Sequence, residues 1–174
     1  MRTLVLDPPP PALAELREQR RRSGLDRMDE VWKGVLHMVP APDFGHADIE
    51  SQLHRIIGPL ARRAGLRMVG QSNLGEDLDD FRVPDSALHR PGASGTWHAS
   101  APLVVEIVSP GDETWEKLPF YAAHRVGEVL IVDPAKRTCD WLILRDGDYR
   151  PAERSELIEL GAEELRARIE WPAT

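Results

Sequence analysis

The sequence has one cysteine, Cys139, in 174 residues. No internal disulfide can form, and the composition fits a reducing compartment. No apolar run approaches the ~18 residues of a membrane-spanning helix. Asp7 and four consecutive prolines break the N-terminal segment, so it offers no apolar core for a signal peptide. These features together predict a soluble cytoplasmic chain with no membrane partner. The six histidines, at 37, 46, 54, 89, 98 and 124, show neither HxxxH nor HxxEH spacing, which argues against zinc. There is no Gly-rich phosphate loop and no nucleophile elbow. The acidic loop 76–80 lacks the glycine and terminal glutamate of a calcium loop. Lysine is scarce: 19 of the 22 basic residues are arginine, leaving Lys33, Lys117 and Lys136.

Acids outnumber bases, 29 to 22, for a net charge of −7, which excludes a uniformly basic nucleic-acid coat but not a local basic groove. With 41% hydrophobic and 29% charged residues, the chain reads as a folded soluble domain rather than a disordered one. Its length fits a single domain. Residues 1–28 read as an N-terminal extension, Pro-rich and extended over 1–11 with a short helix over 12–22. Residues 29–174 read as the main domain.

Within that domain, segments 30–33 and 35–39 flank Gly34 as a hairpin that Pro40-Ala41-Pro42 halts. From His46 to Ala64, Ile49, Leu53, Ile56, Ile57, Leu60 and Ala64 recur at three-four spacing, which predicts an amphipathic helix. A strand near 67–72 follows. Pro84 suggests a strand start, an edge or a bulge within the strand 81–89. The nearly continuous apolar run 103–108 predicts a strand buried on both faces. Ser109-Pro110-Gly111-Asp112 resembles a helix start and predicts a helix over 112–125. Strands at 128–132 and 139–144 continue the sheet, and the tail past Ser155 mixes short strand and helix signals. The order predicts one α/β domain around a central mixed sheet flanked by helices.

Three residues stand out chemically. Strand alternation puts Glu106 with Val104 and Val108, opposite Leu103, Val105 and Ile107, so its surroundings are apolar. An ionised carboxylate there costs several kcal/mol unless paired or metal-bound. The alternatives are a buried ion pair with a helix arginine and a functional carboxylate at a strand end. Asp85, 21 residues earlier on a neighbouring strand, would supply a second carboxylate. Such a pair makes an oxygen-donor site suited to Mg²⁺ or Mn²⁺. On the expected helix, Glu113, Lys117 and Tyr121 share a face. There Lys117 is either one half of a surface pair or a cation pointing back over the strand ends.

Arg82-Val83-Pro84-Asp85, then residues 103–110, Lys117-Leu118-Pro119-Phe120-Tyr121 and Val129 to Pro134, together resemble the Uma2 family. This is a group of bacterial restriction endonucleases in the PD-(D/E)xK nuclease superfamily. Glu30 to Leu36 is similar to the family's opening hairpin, and His46 to the histidine that begins its long helix. The resemblance spans roughly residues 29–145. It implies a restriction endonuclease-like fold and Mg²⁺-dependent phosphodiester hydrolysis. Asp85 and Glu106 would be the metal ligands and Lys117 the catalytic lysine, with Glu30 a further acid and Tyr121 in support. Val108 stands where the superfamily pattern has lysine, and Lys117 fits the variant in which that lysine has moved to the following helix. Lys33 and Trp32 stand where the family usually has an acid and an aliphatic residue, and Ser86 and Ala87 replace a Val-rich run.

The reading is a metal-dependent endonuclease acting on DNA, with a homodimer expected where both strands are cut. His46, Arg55 and Arg62 are candidates for substrate contact, although a solvated helix face also accounts for the arginines. The rival readings are a non-catalytic nuclease-like module that binds nucleic acid or protein, and a hydrolase of small phosphoesters. The acidity is uneven. Residues 112–174 carry nine bases and fourteen acids, whereas residues 46–70 hold four arginines against Asp48 and Glu50.

Overall fold

The computed structural model describes residues 11–111 and 113–172, so the extended reading of 1–10 lies outside the described residues. The chain opens with helix α1 (Pro11–Ser23), which begins at Pro11, where an extended residue was expected. Arg20 anchors this helix to the domain by bonding Asp29 and the backbone carbonyls of Leu25 and Val39. Strands β1 (Glu30–Trp32) and β2 (Val35–His37) then form the expected hairpin. Its two turn residues, Lys33 and Gly34, both have positive φ, the geometry that matches the twist of a tight hairpin.

Helix α2 (Phe44–Arg63) is capped by the Asp43 carboxylate, which accepts from the His46 N–H. It buries Ile49, Leu53, Ile56, Ile57 and Ala61, while Ala64 is exposed. Strands β3 (Arg67–Val69), β4 (Asn73–Gly75), β5 (Phe81–Arg82), β6 (Ser86–His89) and β7 (Trp97–His98) follow. Then come β8 (Leu103–Ile107), helix α3 (Leu118–Ala123), β9 (Glu128–Asp133), β10 (Thr138–Arg145), β11 (Asp148–Ala152) and helix α4 (Ala162–Arg168).

The central sheet has six strands in the order β11-β10-β9-β8-β6-β3, with β8 and β9 parallel and the other pairs antiparallel. Strand β8 lies inside this sheet, and every one of its residues is buried. On one face α2 and the C-terminal segment pack over Leu103, Val105, Ile107, Leu130, Val132 and Trp141. On the other, Phe120 and Tyr121 of α3 pack over Val104, Val129, Ile131 and Leu142. The alternation expected along 103–108 is therefore the one observed.

Three expectations need correction. A second sheet of five strands, β2-β1-β5-β4-β7, stands beside the central one, where a single sheet was expected. The expected strand 81–89 is two strands in different sheets, β5 in the small one and β6 in the central one. Pro84 has no N–H to give a ladder, and the chain crosses between the sheets there. The expected helix 112–125 is also shorter. Gly111 has φ +72, a short 3₁₀ turn covers Trp115–Lys117, and α3 begins only at Leu118. Pro119 explains this, because mid-helix it would lose a hydrogen bond and clash with the preceding turn, whereas the first turn tolerates it.

Candidate active site

Strand β8 delivers the centre of the site. Glu106 is 3% exposed on the α3 side of the sheet, near the strand's C-terminal end. Lys117, from the 3₁₀ turn, places its Nζ 3.2 Å from both Glu106 carboxylate oxygens and 3.0 Å from Glu30 Oε1. Tyr121, fully buried on α3, donates its hydroxyl to Glu106 Oε1. Lys117 and Tyr121 thus converge on Glu106, although Lys117 precedes α3. Glu113 lies outside that helix and contacts His37 instead, 2.7 Å from its Nδ1, so the expected three-residue face is not formed.

Glu30 comes from the small sheet and is 2% exposed. Its Oε1 also accepts from the Val83 N–H at 2.8 Å, and its Oε2 accepts from the Trp32 indole N–H at 2.7 Å. Trp32 stacks on His37 with centroids 4.2 Å apart. The buried Arg82 guanidinium sits between the rings of Trp32 and Phe120, 4.2 and 4.1 Å from their centroids. This stack joins the small sheet to α3 and fixes where Glu30 points.

Asp85 lies at the crossing between the sheets. Its Oδ2 accepts from the Ile107 N–H at 2.7 Å, and its Oδ1 lies 3.0 Å from His46 Nε2. His46 Nδ1 in turn lies 3.1 Å from the Ser109 hydroxyl. Ser109 therefore faces the start of α2.

Glu30, Asp85, Glu106, Lys117 and His46 all line one cavity of about 380 Å³. Tyr121 supports Glu106 from beneath. Arg55 and Arg62 do not line it; both lie on the exposed face of α2. Residues that sequence reasoning passed over include Trp32 as a partner of Glu30, and His37, whose isolated position carried no spacing signal. Glu50 was also missed, and its position one turn after His46 was the available clue.

Burial pushes the Glu106 carboxyl up to about 8, with the Asp85 and Glu30 charges adding to it and Lys117 and Tyr121 opposing. Burial alone would depress Lys117, but Glu106, Glu30 and Asp85 hold its ammonium above the usual lysine range. Burial also disfavours the charged form of His46; the Asp85 hydrogen bond and charge, with Glu50 and Asp43, outweigh it and raise the imidazole. Burial and the Asp85 charge raise Glu50.

The donor set can be tested against a metal ion. Three carboxylates, those of Glu30, Asp85 and Glu106, face a single ammonium, leaving excess negative charge in a partly closed cavity. Among the described residues no group of three or more His, Cys, Asp or Glu side chains is arranged to hold an ion. A hard cation such as Mg²⁺ needs only one or two carboxylates from the protein and takes its remaining oxygens from water and phosphate.

A buried Glu–Lys–Tyr cluster beside an aspartate at the strand ends of an α/β sheet is an arrangement suited to phosphodiester chemistry. The Uma2 family, described as "Putative restriction endonuclease", matches residues 14–170, and the chain belongs to it. Among solved structures, one described as a "putative nuclease belonging to DUF820" from Anabaena variabilis ATCC 29413 is similar, with 16% identity and a TM-score of 0.65. The match covers 80% of this chain and 90% of that one, and it shows the restriction endonuclease-like fold. A more distant likeness, to a cryo-EM structure of a DrdV–DNA complex, has 12% identity and a TM-score of 0.42, covering 74% of this chain and 12% of that one. No curated protein matches the chain. Nuclease is the class of function that the family description supports.

Proposed function

We propose that this chain is a metal-dependent endonuclease that hydrolyses phosphodiester bonds in DNA. The observation that carries the reading is Lys117, which reaches Glu106 and Glu30 from a separate turn inside the cavity that Asp85 also lines. Asp85 and Glu106 would hold Mg²⁺ or Mn²⁺. When bound, such a cation acidifies water and neutralises charge on a scissile phosphate. The chain's own residues do the rest. Lys117 holds a fixed positive charge where negative charge grows on the phosphate oxygens. Glu30 orients that ammonium, and the Tyr121 hydroxyl fixes the Glu106 carboxylate. His46 orients Asp85 from the start of α2.

Where both strands of a duplex are cut, two such sites are needed, which a homodimer would supply. The enzyme would act in the cytoplasm. A second reading also has an observation in its favour. Glu106 is already engaged by Lys117 and Tyr121, as a purely structural cluster in a non-catalytic module would be.

One assay separates the two. Wild type, Asp85→Asn and Lys117→Ala are incubated with supercoiled plasmid and with single-stranded DNA, in Mg²⁺, in Mn²⁺ and in EDTA. Cleavage that needs metal and disappears in both variants supports the nuclease. Wild type no more active than the variants leaves the non-catalytic module.

A further inference from the structure

The cavity has almost nothing with which to grip a nucleic-acid backbone. Lys117 is the one Lys or Arg among its described lining residues, and Glu30 and Glu106 already hold it. Phosphate contacts, which supply most nonspecific affinity for nucleic acid, must lie outside the cavity.

The outer face of α2 supplies them. Arg55, Arg62 and Arg63 on the helix, and Arg67 at the start of β3, are exposed, and none makes an ion pair among the described residues. Arg55 only donates to the Ser51 hydroxyl, at 2.9 Å. Several other arginines differ: Arg20, Arg82, Arg145, Arg166 and Arg168 are all paired with carboxylates.

Phe44 extends this line to the mouth of the cavity. It is 88% exposed, the most exposed large hydrophobic side chain among those described. Its neighbours Asp43 and His46 line the cavity. Positions 44, 51, 55 and 62 are spaced by seven, four and seven residues. At 3.6 residues per turn they fall on one stripe of the helix. The stripe starts with an aromatic ring beside the site and ends in a run of free guanidinium groups.

We propose that this stripe is a single-stranded DNA track: Arg55, Arg62 and their neighbours follow one backbone while Phe44 stacks an unpaired base at the cavity mouth. An exposed ring grips a base only when that base has left its own stack, which selects an unpaired strand. The inference rests on the nuclease reading and names its substrate as single-stranded or locally unpaired DNA.

The test is a binding measurement, independent of cleavage. Fluorescence anisotropy in EDTA follows a labelled oligo-dT and a blunt duplex of the same length, titrated with wild type, Phe44→Ala and Arg55→Ala/Arg62→Ala. All three positions are exposed, and circular dichroism confirms that the variants are folded. Wild type should bind the single strand at least about tenfold more tightly than the duplex, and Phe44→Ala should lose about tenfold. The double arginine variant should flatten the slope of log K against log[salt] by about 1.4, or ~0.7 per phosphate contact on a single strand. Equal or tighter duplex binding, an unchanged Phe44→Ala affinity, or an unchanged salt slope each overturns the track. If DNA binding follows this pattern but no metal-dependent cleavage appears, the nuclease reading fails and the track stands. Cleavage without the pattern has the opposite meaning.

Discussion

Trp32 donates its indole N–H to Glu30 Oε2 at 2.7 Å, while the other oxygen of that carboxylate takes the Lys117 ammonium at 3.0 Å. A residue on a short hairpin strand thus sets the direction of a carboxylate in the site. The ring is itself fixed by His37 on one side and Arg82 on the other.

Trp32→Phe keeps a ring in the stack and removes the donor together with the volume of the indole's second ring. One oxygen of a buried, charged acceptor then loses its partner, which costs about 1.5–3 kcal/mol. Urea denaturation should show a lower midpoint with an unchanged m-value. If plasmid cleavage is observed in wild type, its rate should drop in the variant.

Lys117→Met tests the charge balance. Removing the ammonium leaves Glu30 and Glu106 buried together without a cation, a loss of about 3–5 kcal/mol once Glu106 is ionised, above its raised value of about 8. At neutral pH the loss should be smaller, since a protonated Glu106 carries no charge. A variant as stable as wild type at about pH 9 would show that Lys117 does not compensate these carboxylates.

Glu106 predicts a pH dependence in metal-free protein. Burial raises its carboxyl from 4.5 to about 8. A group whose folded value lies above its unfolded value contributes its full stability below the unfolded value. That contribution is lost as pH rises through the folded value. In EDTA, the thermal midpoint of wild type should therefore fall between about pH 5 and about pH 9. Glu106→Gln, which has no such proton to lose, should fall less over the same window. Parallel curves for the two proteins would contradict the raised carboxyl.

His46 titrates with the opposite partner. Burial opposes its protonation, but Asp85 overrides that and raises the imidazole above 6.5. The pair's contribution to stability is complete below that reference value and disappears as pH climbs through the raised one. An NMR titration of the ring protons should place wild type above 6.5. Asp85→Asn should bring the midpoint to or below that value, because burial then acts with little opposition.

The sequence revealed different levels of this structure unequally. Helix α2 and strand β8 were legible because each buries a repeating set of side chains, at the period of a helix or as a continuous run. Glu106 was legible for the same reason, as a charge inside an apolar run. The second sheet was not legible: β4, β5 and β7 are two or three residues long, and only the β4–β5 pairing is local, whereas β5 with β1 and β4 with β7 are long-range. The length of α3 was misjudged because the capping pattern at Ser109 outweighed Pro119, whose ring decides where a helix can begin. Glu30 came through the family resemblance, whereas Lys117 stood out first on the expected helix and the resemblance added its catalytic role. Nothing local in either residue shows that two sheets bring them together.

Asp85 has a duty separate from any chemistry. The β6–β8 ladder ends at Ser86 opposite Val105, and the next inward-facing amide, that of Ile107, finds its acceptor in the Asp85 side chain. The carboxylate stands in for a missing rung of the sheet. Selection for folding alone would therefore preserve an acceptor at this position in a descendant that had lost its activity. Among related chains, a persisting aspartate there is thus a weak mark of a working enzyme.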